Sequence, residues 1–357
     1  MERPDPFSEI RLVSLRSIRG ASFWSRRPVT RIDLIPGEYD EISSAEVPGF
    51  TEALLAAFPG LWEHRCSVGE RGGFVTRLRR GTYAPHIVEH VGLELQSMAG
   101  HDVGYGRARG GDRPGEYTVV FEHLHAEVGL RSAALALEIV QRALAGTLDG
   151  IGDAVAELEA LAATPDAPPL RHAVRCGVTG GGDRGAVRAE MLRRGVGAGE
   201  LVVDVSPAYL LGAGLPYSAS GAAVILDAEP RDVPERYRDP EMARKLVSVL
   251  ADAVPAGGFA VVPAGEWDVQ DRALDAGCRL AVFTDGERLS ARDARVAHAA
   301  ATVRDGRIAL ECGGETADGG PLRPGEPAAP QLAGALAVLA LQRTQPDPEV
   351  EEDGPVP

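Results

Sequence analysis

His86, Glu89 and His90 fall within one five-residue run, His86-Ile87-Val88-Glu89-His90. At 3.6 residues per turn, two histidines four apart project from the same face of a helix. Their ring nitrogens can then converge on one divalent cation, at roughly 2.0–2.1 Å for zinc. Glu89, beside His90, is placed to hold and deprotonate a water whose pKa zinc lowers to about 7. HxxEH reverses the order of the zincin motif HExxH and allows the same roles. A catalytic zinc keeps three protein ligands and one open position, so a third ligand is required. Two carboxylates are candidates: Glu94, one turn beyond His90, and Glu122, at the end of "TVVFE". Ligands at i, i+4 and i+8 strain to meet one ion. This favours Glu122 as the ligand and Glu94 as its support, with geometry free to reverse the pair. The competing reading is a half-exposed helix whose His and Glu side chains serve only each other and solvent. His64, His101, His123 and His125 lack comparable spacing and read as surface or supporting residues.

These residues need a helix to carry them. "APHIVEHVGLELQSMAGHDVG" follows Pro85 and stops near Gly100, a sound helix frame. Residues 9–16 and 29–35 alternate apolar and polar types, as half-buried strands do. "EYTVVFEHL" reads as a strand, while "GFTEALLAAFPGLWEHR", "AEVGLRSAALALEIVQRALAG" and "IGDAVAELEALAA" have helical spacing. "TPDAPPL", residues 164–170, has no periodicity and reads as a linker. Beyond it, "HAVRCGVTGGGDRGAVRAEMLRRG" reads as strand, glycine loop and helix. Short apolar runs such as "AAVILDAEP", "GFAVVPAG" and "RLAVFTDG" alternate with helical stretches. That pattern predicts a parallel α/β sheet. The expected organisation is an α+β N-terminal domain over residues 1–163, with a small sheet and packed helices. The linker 164–170, an α/β C-terminal domain over 171–343 and a disordered acidic tail over 344–357 follow.

Composition narrows the partners. The 357 residues carry a net charge of −15, which argues against duplex nucleic acid or an anionic membrane surface and suits a cationic substrate. Lys245 is the only lysine, so lysine-dependent chemistry has one candidate. Cys66, Cys176, Cys278 and Cys312 lie far apart with no CxxC pair, against a disulfide framework or a cysteine-based zinc site. With no signal-like start and no run of eighteen apolar residues, a cytoplasmic protein with reduced thiols is expected.

"RGASFWS", "VPGF", "EHRCSVGERGGFVTRLRRGTY", "HIVEHVGLELQSMAG", "VGYGRARG" and "GEYTVVFE" occur in this order. Together they resemble the N-terminal domain of cyanophycin synthetase, over roughly residues 9–160. The family makes a polymer with an aspartate backbone and arginine on each side chain. The resemblance implies a polymer-binding domain that, in some members, also looks like a zinc metallopeptidase cutting the polymer internally. His86, Glu89 and His90 would carry that activity. "ERGGF", with Arg71, Gly72 and Gly73, and "GYGRAR", with Arg107 and Arg109, would line the polymer groove. Arg71 and Arg107 would contact aspartate carboxylates, and Arg71 or Tyr83 would stabilise the oxyanion.

The second half resembles a degenerate Mur-ligase-like domain, and the synthetase's ATP-grasp domain is absent between the halves. Where the Mur family reads GTNGKT, this chain has "TGGGDRGA", with Arg184 at the lysine position and Gly185 at the hydroxyl position. A phosphate loop needs that lysine for the β/γ-phosphates and the hydroxyl for Mg²⁺. No ATP is therefore expected, and a plain strand–helix turn is the better reading of the loop. Three functions follow. The favoured one is a zinc-dependent endo-hydrolase of cyanophycin or a related polymer. The next is a non-catalytic binding scaffold whose second half serves interaction or homo-oligomerisation. The last is a synthetase subunit working with a separate ATP-using partner.

Overall fold

In the computed structural model, residues 3–66, 69–166, 170, 172–196 and 200–344 are described. Contacts divide the chain into two units, residues 1–20 with 24–169 and residues 21–23 with 170–357.

In chain order the first unit contains α1 (Pro6–Glu9), β1 (Arg11–Ile18), β2 (Val29–Ile35), α2 (Phe50–Ala57), α3 (Gly73–Arg80), α4 (Ala84–Met98), β3 (Gly106–Gly110), β4 (Tyr117–Glu122), α5 (Ala126–Ala145) and α6 (Gly152–Ala162). Its sheet is antiparallel, ordered β1-β2-β4-β3. β3 was not expected, because "GRARG" carries no apolar alternation. It is extended because it pairs with β4, from Gly106 opposite Phe121 to Gly110 opposite Tyr117.

α4 opens with Pro85 in its first turn, where a missing N–H costs nothing. Its side chains Ile87, Val88, Val91 and Leu95 join Phe74, Leu78, Val119 and Phe121 in one core. Gly92 lets the helix settle on β4, since a Cβ there would lie 2.6 Å from Phe121 Cε1. The helix is buried along most of its length, so the half-exposed alternative does not describe it. The start of the expected linker is tied down: His125 Nε2 meets the Thr164 carbonyl at 3.1 Å, and the Ala126 N–H donates to Asp166 at 2.9 Å.

The second unit contains β5 (Ala173–Thr179), α7 (Arg184–Arg193), β6 (Val202–Asp204), α8 (Pro207–Ala213), β7 (Ala219–Ile225), α9 (Pro240–Ser248), β8 (Phe259–Pro263), α10 (Trp267–Asp275), β9 (Arg279–Phe283), α11 (Ala291–Val296), β10 (Ala297–Arg304), β11 (Arg307–Cys312), β12 (Glu315–Pro321) and α12 (Ala328–Arg343). The sheet order is β12-β11-β10-β9-β8-β7-β5-β6. It is parallel from β10 to β6, and the β10–β11–β12 end is an antiparallel meander. The central strands are apolar on both faces, as helix-covered parallel strands must be. Among the described residues no helix is long and apolar enough to cross a membrane. The expected disordered tail lies outside the described residues beyond Thr344.

Candidate functional site

The two histidines of α4 line a cavity of about 1050 Å³ in the first unit. Cys66, His86 and His90 converge there, with one potential ligand atom from each lying within 4.8 Å of the others. Cys66 Sγ is 3.3 Å from His86 Nε2. A tetrahedral zinc would hold a sulfur and a nitrogen ligand about 3.5 Å apart, so this spacing fits the ion. Cys66 also has a positive φ of 53°, a left-handed conformation that costs a non-glycine residue of order 1–3 kcal/mol and concentrates at functional sites.

Neighbouring bonds set which nitrogen each ring presents. Glu94 Oε2 lies 3.0 Å from His64 Nε2, and His64 Nδ1 lies 2.8 Å from His90 Nδ1. In the neutral His64 tautomer whose Nε2 donates to the carboxylate, Nδ1 accepts the proton of His90 Nδ1. His90 Nε2 is then a bare lone pair. His86 Nδ1 meets Thr82 Oγ1 at 2.8 Å. With His86 Nδ1 donating, its Nε2 lone pair faces Cys66. Such partners on the far nitrogen hold metal-binding histidines in orientation. Phe74 stacks on His90, with ring centroids 3.9 Å apart, and meets His86 edge-on. Burial lowers the His86 pKa to about 4 and that of His90 to about 2, helped by the neighbouring imidazoles at His90. Both rings therefore stay neutral, the form that binds metal. This donor set suits zinc.

Glu89 is buried on the cavity wall and accepts a hydrogen bond from the Ala108 backbone N–H. Burial pushes its carboxyl up to about 8, against the lowering pull of that bond and of Arg107. A carboxyl poised near neutrality suits proton transfer.

Other expected residues divide between the cavity and elsewhere. Tyr83, Arg107 and Glu94 line the cavity, as do Arg65, Arg77 and Tyr105. Glu122 requires a correction: it is not brought to the histidines. β4 ends against Val29 of β2, and there the Glu122 carboxylate accepts from Ser25 Oγ at 3.3 Å and faces Arg27 at 3.8 Å. Glu94 reaches the cluster only through His64. Arg71 is also corrected: it does not line the cavity, and its exposed side chain is paired with Glu63 at the cavity's edge. Gly72 and Gly73 form the start of α3, and Arg109 stands 6.0 Å over Trp24; none of the three lines the cavity. "ERGGF" acts on the site through Phe74 instead.

Sequence reasoning set the cysteines aside as zinc ligands for want of a CxxC pair and so missed Cys66, and it offered His64 only as a surface or supporting residue. Both lie in "EHRC", part of a stretch quoted above for its resemblance, but no spacing tied them to α4. The available signal was a Cys and a His together just before the glycine-rich start of a helix. Of the two readings given for His64, surface or supporting, its bonds to His90 and Glu94 fit the supporting one.

The glycine loop of the second unit has a different arrangement. The Gly181 and Gly182 N–H groups each donate to the Asp227 carboxylate at 2.8 Å. Arg184, at the lysine position, donates to Asp204 at 2.6 Å and to the Gly180 carbonyl. Asp183 caps α7 through the Ala186 N–H. The donors a phosphate would need are spent on this chain's own carboxylates, as a plain strand–helix turn requires.

Residues 31–145 match the family model described as the cyanophycin synthase-like N-terminal domain. Cyanophycin synthetase of Trichormus variabilis is 44% identical over 136 residues, which is 37% of this chain and 15% of that protein. The Synechocystis cyanophycin synthetase is 41% identical over 144 residues, covering 39% of this chain and 16% of the relative. The Geminocystis herdmanii cyanophycin synthetase is 36% identical over 154 residues, covering 43% and 18%. The chain thus spans under a fifth of each relative's length. The crystal structure of MurF from Acinetobacter baumannii has a TM-score of 0.33 at 14% identity, covering 48% of this chain and 43% of that one. The parallel sheet of the second unit stands on its own strand pairing.

Proposed function

We propose that the first unit is a zinc-dependent endo-hydrolase of cyanophycin or a related aspartate–arginine polymer. The observation that carries this reading is the convergence of Cys66, His86 and His90 in a cavity whose wall also holds Glu89. Cys66, His86 and His90 would hold the ion, with His64 and Glu94 orienting His90. Bound zinc supplies Lewis acidity, polarising a carbonyl and making water acidic near neutral pH. Glu89 takes a proton from the attacking water and passes it to the leaving amine as the C–N bond breaks. Tyr105 and Arg107, hydrogen-bonded to each other, and Tyr83 flank the reacting carbonyl as oxyanion donors. Arg65, Arg77 and Arg107 offer guanidinium groups to substrate carboxylates. The overall negative charge suits the polymer's guanidinium groups, while the cavity's arginines suit whatever free carboxylates the polymer carries.

A second reading is a non-catalytic polymer-binding scaffold. The Cys66–His86 and His64–His90 bonds favour it, because they satisfy the cluster internally. Elemental analysis of the purified chain separates the two readings. The hydrolase reading expects about one zinc per chain and chelator-sensitive shortening of cyanophycin. Polymer binding with no zinc would establish the scaffold.

A further inference from the structure

β3 is the last strand of its sheet, with β4 on one side and no described strand on the other. In an antiparallel pair, alternate residues bond to the partner and the residues between them aim their N–H and C=O groups away. The Tyr105 carbonyl accepts from the Glu122 N–H, and the Gly111 N–H donates to the Glu116 carbonyl. This phase places Tyr105, Arg107, Arg109 and Gly111 toward β4. Gly106 and Ala108 therefore face outward. The Ala108 N–H is likewise turned away from β4, toward Glu89 on α4. Gly106 is held to glycine by the same neighbour: a Cβ there would lie 2.8 Å from Glu89 Cγ. This outward edge runs along the wall of the cavity that holds His86, His90 and Cys66, because Gly106, Arg107 and Ala108 all line it.

An unpaired strand edge is a template for an extended chain, which binds through main-chain hydrogen bonds and places alternate side chains in pockets. We propose that the outer edge of β3 is the docking rail for the substrate's main chain. The occupant is an extended, α-linked polypeptide bearing carboxylates, added to the sheet as a further strand. Charge complementarity selects it, since Arg107 of β3 and Arg65 and Arg77, which line the same cavity, are cationic. Gly106 N–H and C=O and Ala108 C=O are the rail's hydrogen-bonding groups. The inference rests on the hydrolase reading only for which bond is cut. A chain lying on this edge brings a main-chain amide to Glu89, so cleavage breaks the backbone and leaves each side-chain amide to arginine whole.

The test uses chelator-treated full-length protein, which binds without cutting, and fluorescently labelled octa-aspartate read by anisotropy. One peptide is unmodified, one is N-methylated at every second main-chain nitrogen, and one at every nitrogen. A strand that pairs along one edge uses only alternate N–H groups. The alternately methylated peptide should therefore bind within about threefold of the unmodified one, while the fully methylated peptide weakens by more than tenfold. Equal binding of all three peptides, equal loss in both methylated ones, or no binding of octa-aspartate would overturn the rail. The zinc-loaded protein is then given cyanophycin. If the methylation pattern holds but no cleavage occurs, the hydrolase reading falls and the rail stands. If cleavage releases free arginine rather than shorter polymer, the claim about the bond is wrong.

Discussion

Two regions of this chain carry motif-like sequence, and the structure treats them in opposite ways. In the first unit, HxxEH lies on a buried helix whose ring nitrogens are oriented by His64, Thr82 and Phe74 toward a shared cavity. In the second unit, the glycine loop keeps its backbone donors but spends them on Asp227. The difference shows what a motif leaves open: it supplies groups, and the surrounding fold decides whether they face a ligand or one another.

The comparison breaks most directly at the ligands. Replacing both His86 and His90 with Ala should reduce zinc content from about one per chain to background, measured by mass spectrometry after desalting. The fold should persist, because α4 is anchored by Ile87, Val88 and Val91. Retained zinc would mean that the ion sits elsewhere. A smaller effect is expected one bond further out. Glu94→Gln leaves His64 without its carboxylate, and zinc affinity should fall about 10–100-fold, as losing an orienting partner does in other zinc sites. Unchanged affinity in a competition titration would remove the His64–Glu94 relay from the account.

Glu89 sharpens the contrast through stability. Its carboxyl sits at about 8 in the folded chain against an ordinary 4.5. The unfolded chain therefore gives up this proton first, and stability falls as pH rises from about 4.5 through about 8. Gln does not titrate. In chelator-treated protein, Glu89→Gln should be more stable than wild type by about 1–3 kcal/mol at pH 8 and by less at pH 5. A variant less stable than wild type across that range would show that burial is not what raises the group.

In the second unit, Asp227→Ala strips the acceptor from two glycine N–H groups. It should cost about 1–2 kcal/mol in urea unfolding, and millimolar sulfate should recover part of the loss. No destabilisation would mean that the loop does not depend on its internal carboxylate. ATP should give wild type no thermal shift, since its loop donors are already engaged.

How much of this was legible follows from the range of the forces involved. α4, β2, β4 and α5 could be read because burial imprints a period of 3.6 or 2 on the sequence. The parallel strands β5, β7, β8 and β9 could be read as apolar runs between helices. β3 could not, because "GRARG" is extended only through its partner, nor could the antiparallel meander, whose last strand "ETADGGP" is polar and exposed. The site divides in the same way. His86, Glu89 and His90 share a helix face, so their spacing exposed them. Cys66 and His64 arrive from a separate segment, and only packing brings them to α4. Glu122 was the favoured third ligand in the sequence, yet the Ser25–Arg27 loop claims its carboxylate. Asp227 lies 45 residues from the amide it occupies at Gly182, a distance that no local pattern spans.

The account's central claim is that Glu89 works beside an ion held by Cys66, His86 and His90. The most direct test follows the chain length of cyanophycin over time with zinc-loaded wild type and zinc-loaded Glu89→Gln, both checked for equal zinc content. The account predicts progressive shortening by wild type and none by the variant. Shortening at the same rate by both, or by neither, would contradict it.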